Sequence, residues 1–153
     1  MRLWHRDLIK VLPKKQLVAQ WRELSACATN IRTKGSPNHI LVNKIMDFPR
    51  NHFISYAAAV HAEMTRRGYR TMDRVWDNIT SVVDNNVYNI IPLEECFPGW
   101  HSLNYFIQCY FNLQEKYDCG GITKEEWTKI QNKYNEYINN FYCGITFADL
   151  ERN

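Results

Sequence analysis

The chain has 153 residues, 45% of them hydrophobic and 14% aromatic, and a formal net charge of +3. That length can bury a real core within one domain spanning 1–153, and the aromatic content argues against disorder. The five cysteines, at 27, 96, 109, 119 and 143, are odd in number and lack Cys-x-x-Cys spacing, so neither a disulfide framework nor a zinc knuckle is indicated. Charged residues at 6, 7 and 10 interrupt any leader-like apolar run, and no stretch approaches a membrane span. A cytoplasmic protein with reduced thiols and no membrane contact is expected.

The elements read as follows in chain order. The segment before Pro13 has no clean period and is expected to cross the surface as an N-terminal arm. Pro13 suits the first turn of a helix, and Leu17, Trp21, Leu24 and Ala28 then form one apolar stripe, so 13–30 is predicted helical. Arg22 and Glu23 fall on opposite flanks of that stripe, about 100° apart, at the edge between core and solvent. Ser36 and Pro37 are predicted to open a short helix carrying Ile40, Leu41, Ile45 and Met46. A longer helix over 49–67 carries Phe53, Tyr56, Ala57, Val60 and Met64 and stops at Gly68, with Arg66 and Arg67 in its last turn.

Residues 72–84 give a shorter helical pattern through Val75, Trp76, Ile79 and Val83. The stretch 85–100 reads as loop, with 87–93 free to be extended. Leu103, Phe106, Ile107, Tyr110 and Tyr117 mark a helix over 101–118. After Gly120-Gly121, Thr123-Lys124-Glu125-Glu126 matches a capping box ahead of a stripe through Trp127, Ile130, Tyr134, Ile138 and Phe141. The predicted fold is therefore all-α, a compact helical bundle ending in an antiparallel hairpin with an aromatic seam.

Charge divides the chain. Residues 1–70 hold thirteen Lys/Arg against four Asp/Glu, and residues 71–153 hold six against twelve. A basic half beside an acidic, aromatic one points to an anionic partner such as nucleic acid; the competing reading is two solvated helical faces of opposite sign. His61-Ala62-Glu63 matches half of a zinc-deaminase motif, but the Pro-Cys-x-x-Cys half is absent, so Glu63 is expected simply to pair with Arg67. The five histidines, at 5, 39, 52, 61 and 101, lack metal-ligand spacing, and most are expected at the surface or its boundary.

The run Leu17, Ala19, Trp21, Arg22, Glu23, Leu24 resembles the corresponding helix of the phage pyrimidine-dimer DNA glycosylases, the dimer-specific endonuclease V enzymes. Arg67-Gly68-Tyr69 is similar to that family's basic-Gly-aromatic helix end, and Met1-Arg2-Leu3 to its N-terminal pattern of amine, arginine and aliphatic. The resemblance covers about the first 70 residues. It implies a metal-free and cofactor-free glycosylase and abasic-site lyase of bacterial or phage-infected cells, a monomer acting on lesion-bearing double-stranded DNA, with pyrimidine dimers as the expected lesion.

Under that resemblance the N-terminal amine attacks sugar C1′, expels the base and forms an imine, and β-elimination then cuts the strand. Met1 and Glu23 take the catalytic positions, and Arg2, Arg6, Arg22, Arg32 and Lys34 the DNA-binding ones. An α-amine suits this chemistry better than a lysine: at its ordinary pKa of ~7.7–8.0 roughly a quarter is unprotonated near pH 7.4, against about one part in a thousand for a lysine. Three departures bear on the transfer. Arg2 stands where the family exposes a threonine by removing Met, so the amine belongs to Met1, one residue displaced from Glu23. Ala26 replaces a family arginine, a contact left to Arg32 or Lys34. The lysine-interleaved aromatic tail is reduced to Phe141-Tyr142. Two other readings remain: a non-catalytic DNA-binding helical protein, and a structural or interaction module using the hairpin 101–141.

Overall fold

A computed structural model describes residues 1–143. Five α-helices are described: α1 (Lys14–Lys34), α2 (Arg50–Arg66), α3 (Asp73–Thr80), α4 (Leu103–Asp118) and α5 (Lys124–Cys143). Short 3-10 segments precede α1 and lie between later helices, and no strand occurs among the described residues. The all-α class follows. No helix among the described residues is long and apolar enough to cross a membrane.

Helix α1 is longer than its stripe predicts. Pro13 is the half-in N-cap residue rather than the first helical one, and Gly35 ends the helix in the left-handed region at φ 78°. The first turn has no side-chain cap of its own; instead Glu126 of α5 accepts from Lys14 N at 3.2 Å, a carboxylate at the positive helix end. Helix α2 ends as predicted at Gly68 (φ 73°), where Tyr69 N donates to Met64 O at 2.9 Å and Gly68 N to Thr65 O at 3.0 Å. The capping box forms too: Glu126 N donates to Thr123 Oγ1 at 3.2 Å, and Thr123 N donates to Glu126 Oε2 at 3.0 Å. The hairpin α4–α5 closes on stacked rings, Phe106 on Tyr137 at 3.9 Å and Tyr110 on Tyr134 at 4.0 Å between centroids.

The arm departs most from expectation. It does not cross the surface: Leu3, Trp4, His5, Leu8, Ile9 and Leu12 are all buried, with a 3-10 segment over Arg6–Val11. An irregular segment in a core must have its backbone groups satisfied by someone else's side chains. Gln20 Oε1 accepts from Trp4 N at 2.8 Å, Tyr56 donates to Trp4 O at 2.6 Å, and Tyr105 donates to Leu3 O at 2.5 Å. Arg67 donates to Leu12 O at 2.6 Å and Lys10 O at 2.9 Å. The arm is thus a plug gripped by α1, α2 and α4.

One further expectation fails. Residues 38–47 form a turn and a 3-10 segment (Asn43–Asp47) in place of a helix, because Asn38 takes a left-handed φ of 58°. His39, His52 and His61 lie at the boundary as expected, but His5 and His101 lie in the core, their rings stacked at 5.1 Å. Burial is compatible with them only as neutral rings: His5 is lowered to about 4 and His101 to about 2, burial being the main cause in each. Glu63 does pair with Arg67, as expected, and with Arg66 as well, at 2.6 Å each, although the carboxylate is buried.

Candidate active site

Helix α1 is a ridge between two clefts, and helical spacing explains which side chain faces which. Lys14, Val18 and Arg22 succeed one another every fourth residue; Lys15, Ala19 and Glu23 form the next row over. The first row, with Trp21, Tyr69 and Arg74, lines a cleft of about 520 Å³ toward α3. The second row, with Met1, Arg2 and Lys116, lines a cleft of about 460 Å³ on the side of the arm. Arg22 and Glu23 therefore do stand on opposite flanks of the apolar stripe, and they open onto different clefts.

Met1, Arg2 and Glu23 come together in the second cleft. Glu23 is half-buried, and its Oε2 accepts from the backbone N of Arg2 at 3.4 Å. Met1 is exposed, its Sδ 3.5 Å from the Sγ of buried Cys27, one helical turn beyond Glu23. Burial pushes the Cys27 thiol up to about 12; the Glu23 carboxylate adds to the rise and the chain's amine opposes it, so both charges reach the same spot. The atom held directly against Glu23 is thus the nitrogen of residue 2, with the amine of Met1 one residue further out. The Arg2 guanidinium lies over the Trp4 ring, 5.8 Å from its centroid.

The remaining predicted cations go elsewhere. Arg6 is drawn inward: its Nη1 donates to Cys96 O, and its backbone N donates to His101 Nδ1 at 3.0 Å. Arg32 is exposed and donates to Asn78 Oδ1 of α3 at 2.5 Å. Lys34 is exposed in the last turn of α1. Neither Arg32 nor Lys34 lines the cleft that holds Glu23.

Sequence reasoning missed four polar residues of that cleft, Lys15, Gln16, Asn112 and Lys116. Lys15 was legible as the start of the row that ends at Glu23. Asn112 and Lys116 share one face of α4, four residues apart and off the apolar stripe, but nothing in the sequence says that this face meets the arm. Among the described residues, no group of three or more His, Cys, Asp or Glu side chains is placed to hold a metal ion.

Arg2, Lys15 and Lys116 line the cleft with half-buried Glu23, on an all-helical frame, and the family comparison assigns the molecule to the class of DNA-repair glycosylases. More narrowly, the chain belongs to the pyrimidine dimer DNA glycosylase family, whose model matches residues 1–77. That span holds the arm, α1, α2 and the start of α3, and with them Met1, Arg2, Lys15, Arg22 and Glu23; Asn112 and Lys116 of α4 lie outside it. No curated protein and no solved structure matches the chain.

Proposed function

We propose that this protein excises damaged bases, pyrimidine dimers first among them, through an imine between the Met1 amine and deoxyribose C1′. The amine's lone pair forms the new C1′–N bond as the glycosidic bond breaks and the base leaves with its electron pair. Loss of the sugar ring oxygen from C1′ completes the imine, which acidifies the C2′ proton. Removal of that proton expels the 3′ phosphate and cuts the strand. Glu23 sits where it can stabilise the cationic sugar carbon and relay protons, and Arg2, Lys15 and Lys116 supply positive charge for the flanking phosphates. Arg22 engages the backbone from the adjoining cleft.

The observation that carries this reading is the meeting of the chain's first two residues with Glu23 across 21 positions of sequence. Borohydride trapping on ultraviolet-irradiated duplex tests it: a covalent adduct is expected, lost when the amine is acetylated, and the absence of any adduct with both irradiated and abasic DNA overturns it. One observation favours a variant of the same chemistry. Because Arg2 N is the atom hydrogen-bonded to Glu23, a chain processed by one residue would present its amine at that very position. Intact mass decides between Met1 and Arg2 as the nucleophile.

A further inference from the structure

Between the cleft that holds Glu23 and a third cleft of about 390 Å³ stands a divide made by Arg2 and Leu41, which line both. Ile40 lines the third cleft beside Lys44, Trp100 and Tyr105. Ile40 is 87% exposed and Leu41 48%, so two adjacent aliphatic side chains project from the surface next to the proposed nucleophile.

They do not project from a slack loop. Asn38 holds its left-handed φ, and its N donates to Ser36 Oγ at 3.3 Å. The side chain of Asn43 accepts from His39 N at 3.0 Å, and the ring of His39 accepts from Leu41 N at 3.3 Å. His39 O accepts from both Val42 N and Asn43 N, at 3.0 and 2.9 Å. On either side Pro37, Val42 and Ile45 are buried as anchors, and Pro37 O accepts from Asn30 of α1 at 3.0 Å. A braced tip loses little conformational freedom on binding, which is the condition for an apolar group to be pushed into a partner.

We propose that Ile40 and Leu41 form a wedge that enters the base stack of duplex DNA beside the lesion while the nucleotide is drawn toward the Met1 amine. The inference rests on the reading of the Glu23 cleft as the site of chemistry on DNA. Three things favour DNA as the occupant: the family's substrate is DNA, Arg2, Lys15, Lys44 and Lys116 ring the tip with charge for phosphates, and bare aliphatics inserted at a base step are how proteins hold open an unstacked duplex. The wedge would also select its site, since damaged steps unstack most readily.

The test uses a duplex with 2-aminopurine beside a non-cleavable abasic analogue. Wild-type protein is expected to raise the fluorescence, and the double variant Ile40→Ala/Leu41→Ala to lose most of that rise. Excision on lesion duplex should slow roughly tenfold in the double variant; Ile40→Ala alone, which leaves the lining of the Glu23 cleft intact, should slow it too, while its trapping on a single-stranded abasic oligonucleotide stays the same, because no stack needs opening there. Ile40→Leu, which keeps the bulk, should restore duplex excision when Leu41 is present. A double variant with wild-type fluorescence and duplex rate overturns the wedge, as does a wild-type protein that produces no rise. If wild type binds and brightens the duplex but traps no abasic strand, the amine chemistry fails and the wedge stands. Should the double variant not fold by circular dichroism, Ile40→Ala alone decides by the same two readouts.

Discussion

The arm and the C-terminal hairpin solve the problem of staying in place by different physics. The hairpin is regular helix, its backbone bonded internally, and what joins its two halves is ring on ring, with Tyr117 on Trp127 at 5.1 Å extending the seam. The arm has the internal bonding of one short 3-10 segment, and its remaining backbone groups are held by side chains of α1, α2 and its C-cap, α4 and the loop before α4. A region held by stacking tolerates change by degrees. A region held by single polar bonds to its backbone fails one bond at a time, and here it carries the proposed nucleophile.

That contrast can be broken by experiment. The largest effect belongs to the arm's cleft: Glu23→Gln should lower excision by about a hundredfold or more with DNA binding and melting temperature unchanged, and a variant that keeps its rate removes Glu23 from the chemistry. The hairpin should show the reverse. Trp127→Ala, which empties a buried position between Tyr110 and Tyr117, should cost about 3 kcal/mol in denaturant unfolding yet leave the trapping yield per folded molecule as it was.

Acid should then act on the arm before the hairpin. His5 and His101 are neutral in the fold, while the unfolded chain takes up protons near pH 6.5, so stability is complete above that value and falls as the pH drops below it. For His5, held down to about 4, the loss between pH 7 and pH 4 is on the order of 3 kcal/mol, read as a falling midpoint in urea. Glu63 pulls the same way: burial raises its carboxyl, Arg66 and Arg67 more than reverse this, and the pairing is lost as acid protonates it. Tyr56→Phe removes the hydroxyl that donates to Trp4 O and should cost about 1–2 kcal/mol, with an added fall in excision rate as the arm loosens. The smallest effect is Thr123→Ala, about 1 kcal/mol from the lost cap of α5, with excision per folded molecule unaffected.

The same division marks what the sequence could and could not disclose. Apolar stripes such as Leu17-Trp21-Leu24 and the capping box at Thr123 are local patterns, and they placed the helices and the hairpin. Glu23 was legible as well, through its neighbours in the run that ends at Leu24. The plugging of the arm was not, because its partners lie far along the chain: Arg6 N meets His101 across 95 residues, and Tyr105 meets Leu3 O across 102. A histidine reads as a surface residue until a second one is found stacked upon it. Ile40 read as one turn of a helix until the positive φ of Asn38 broke that helix and left the side chain bare.

The distance between the arm and its holders has a consequence for synthesis. The first dozen residues are made long before His101 and Tyr105 exist to receive them, so until α4 is made the segment has only its partners on α1 and α2. Only when α4 is made can Tyr105 close on Leu3 O and the loop before it on Arg6 N. The segment that carries the proposed nucleophile gains its last contacts only late in synthesis.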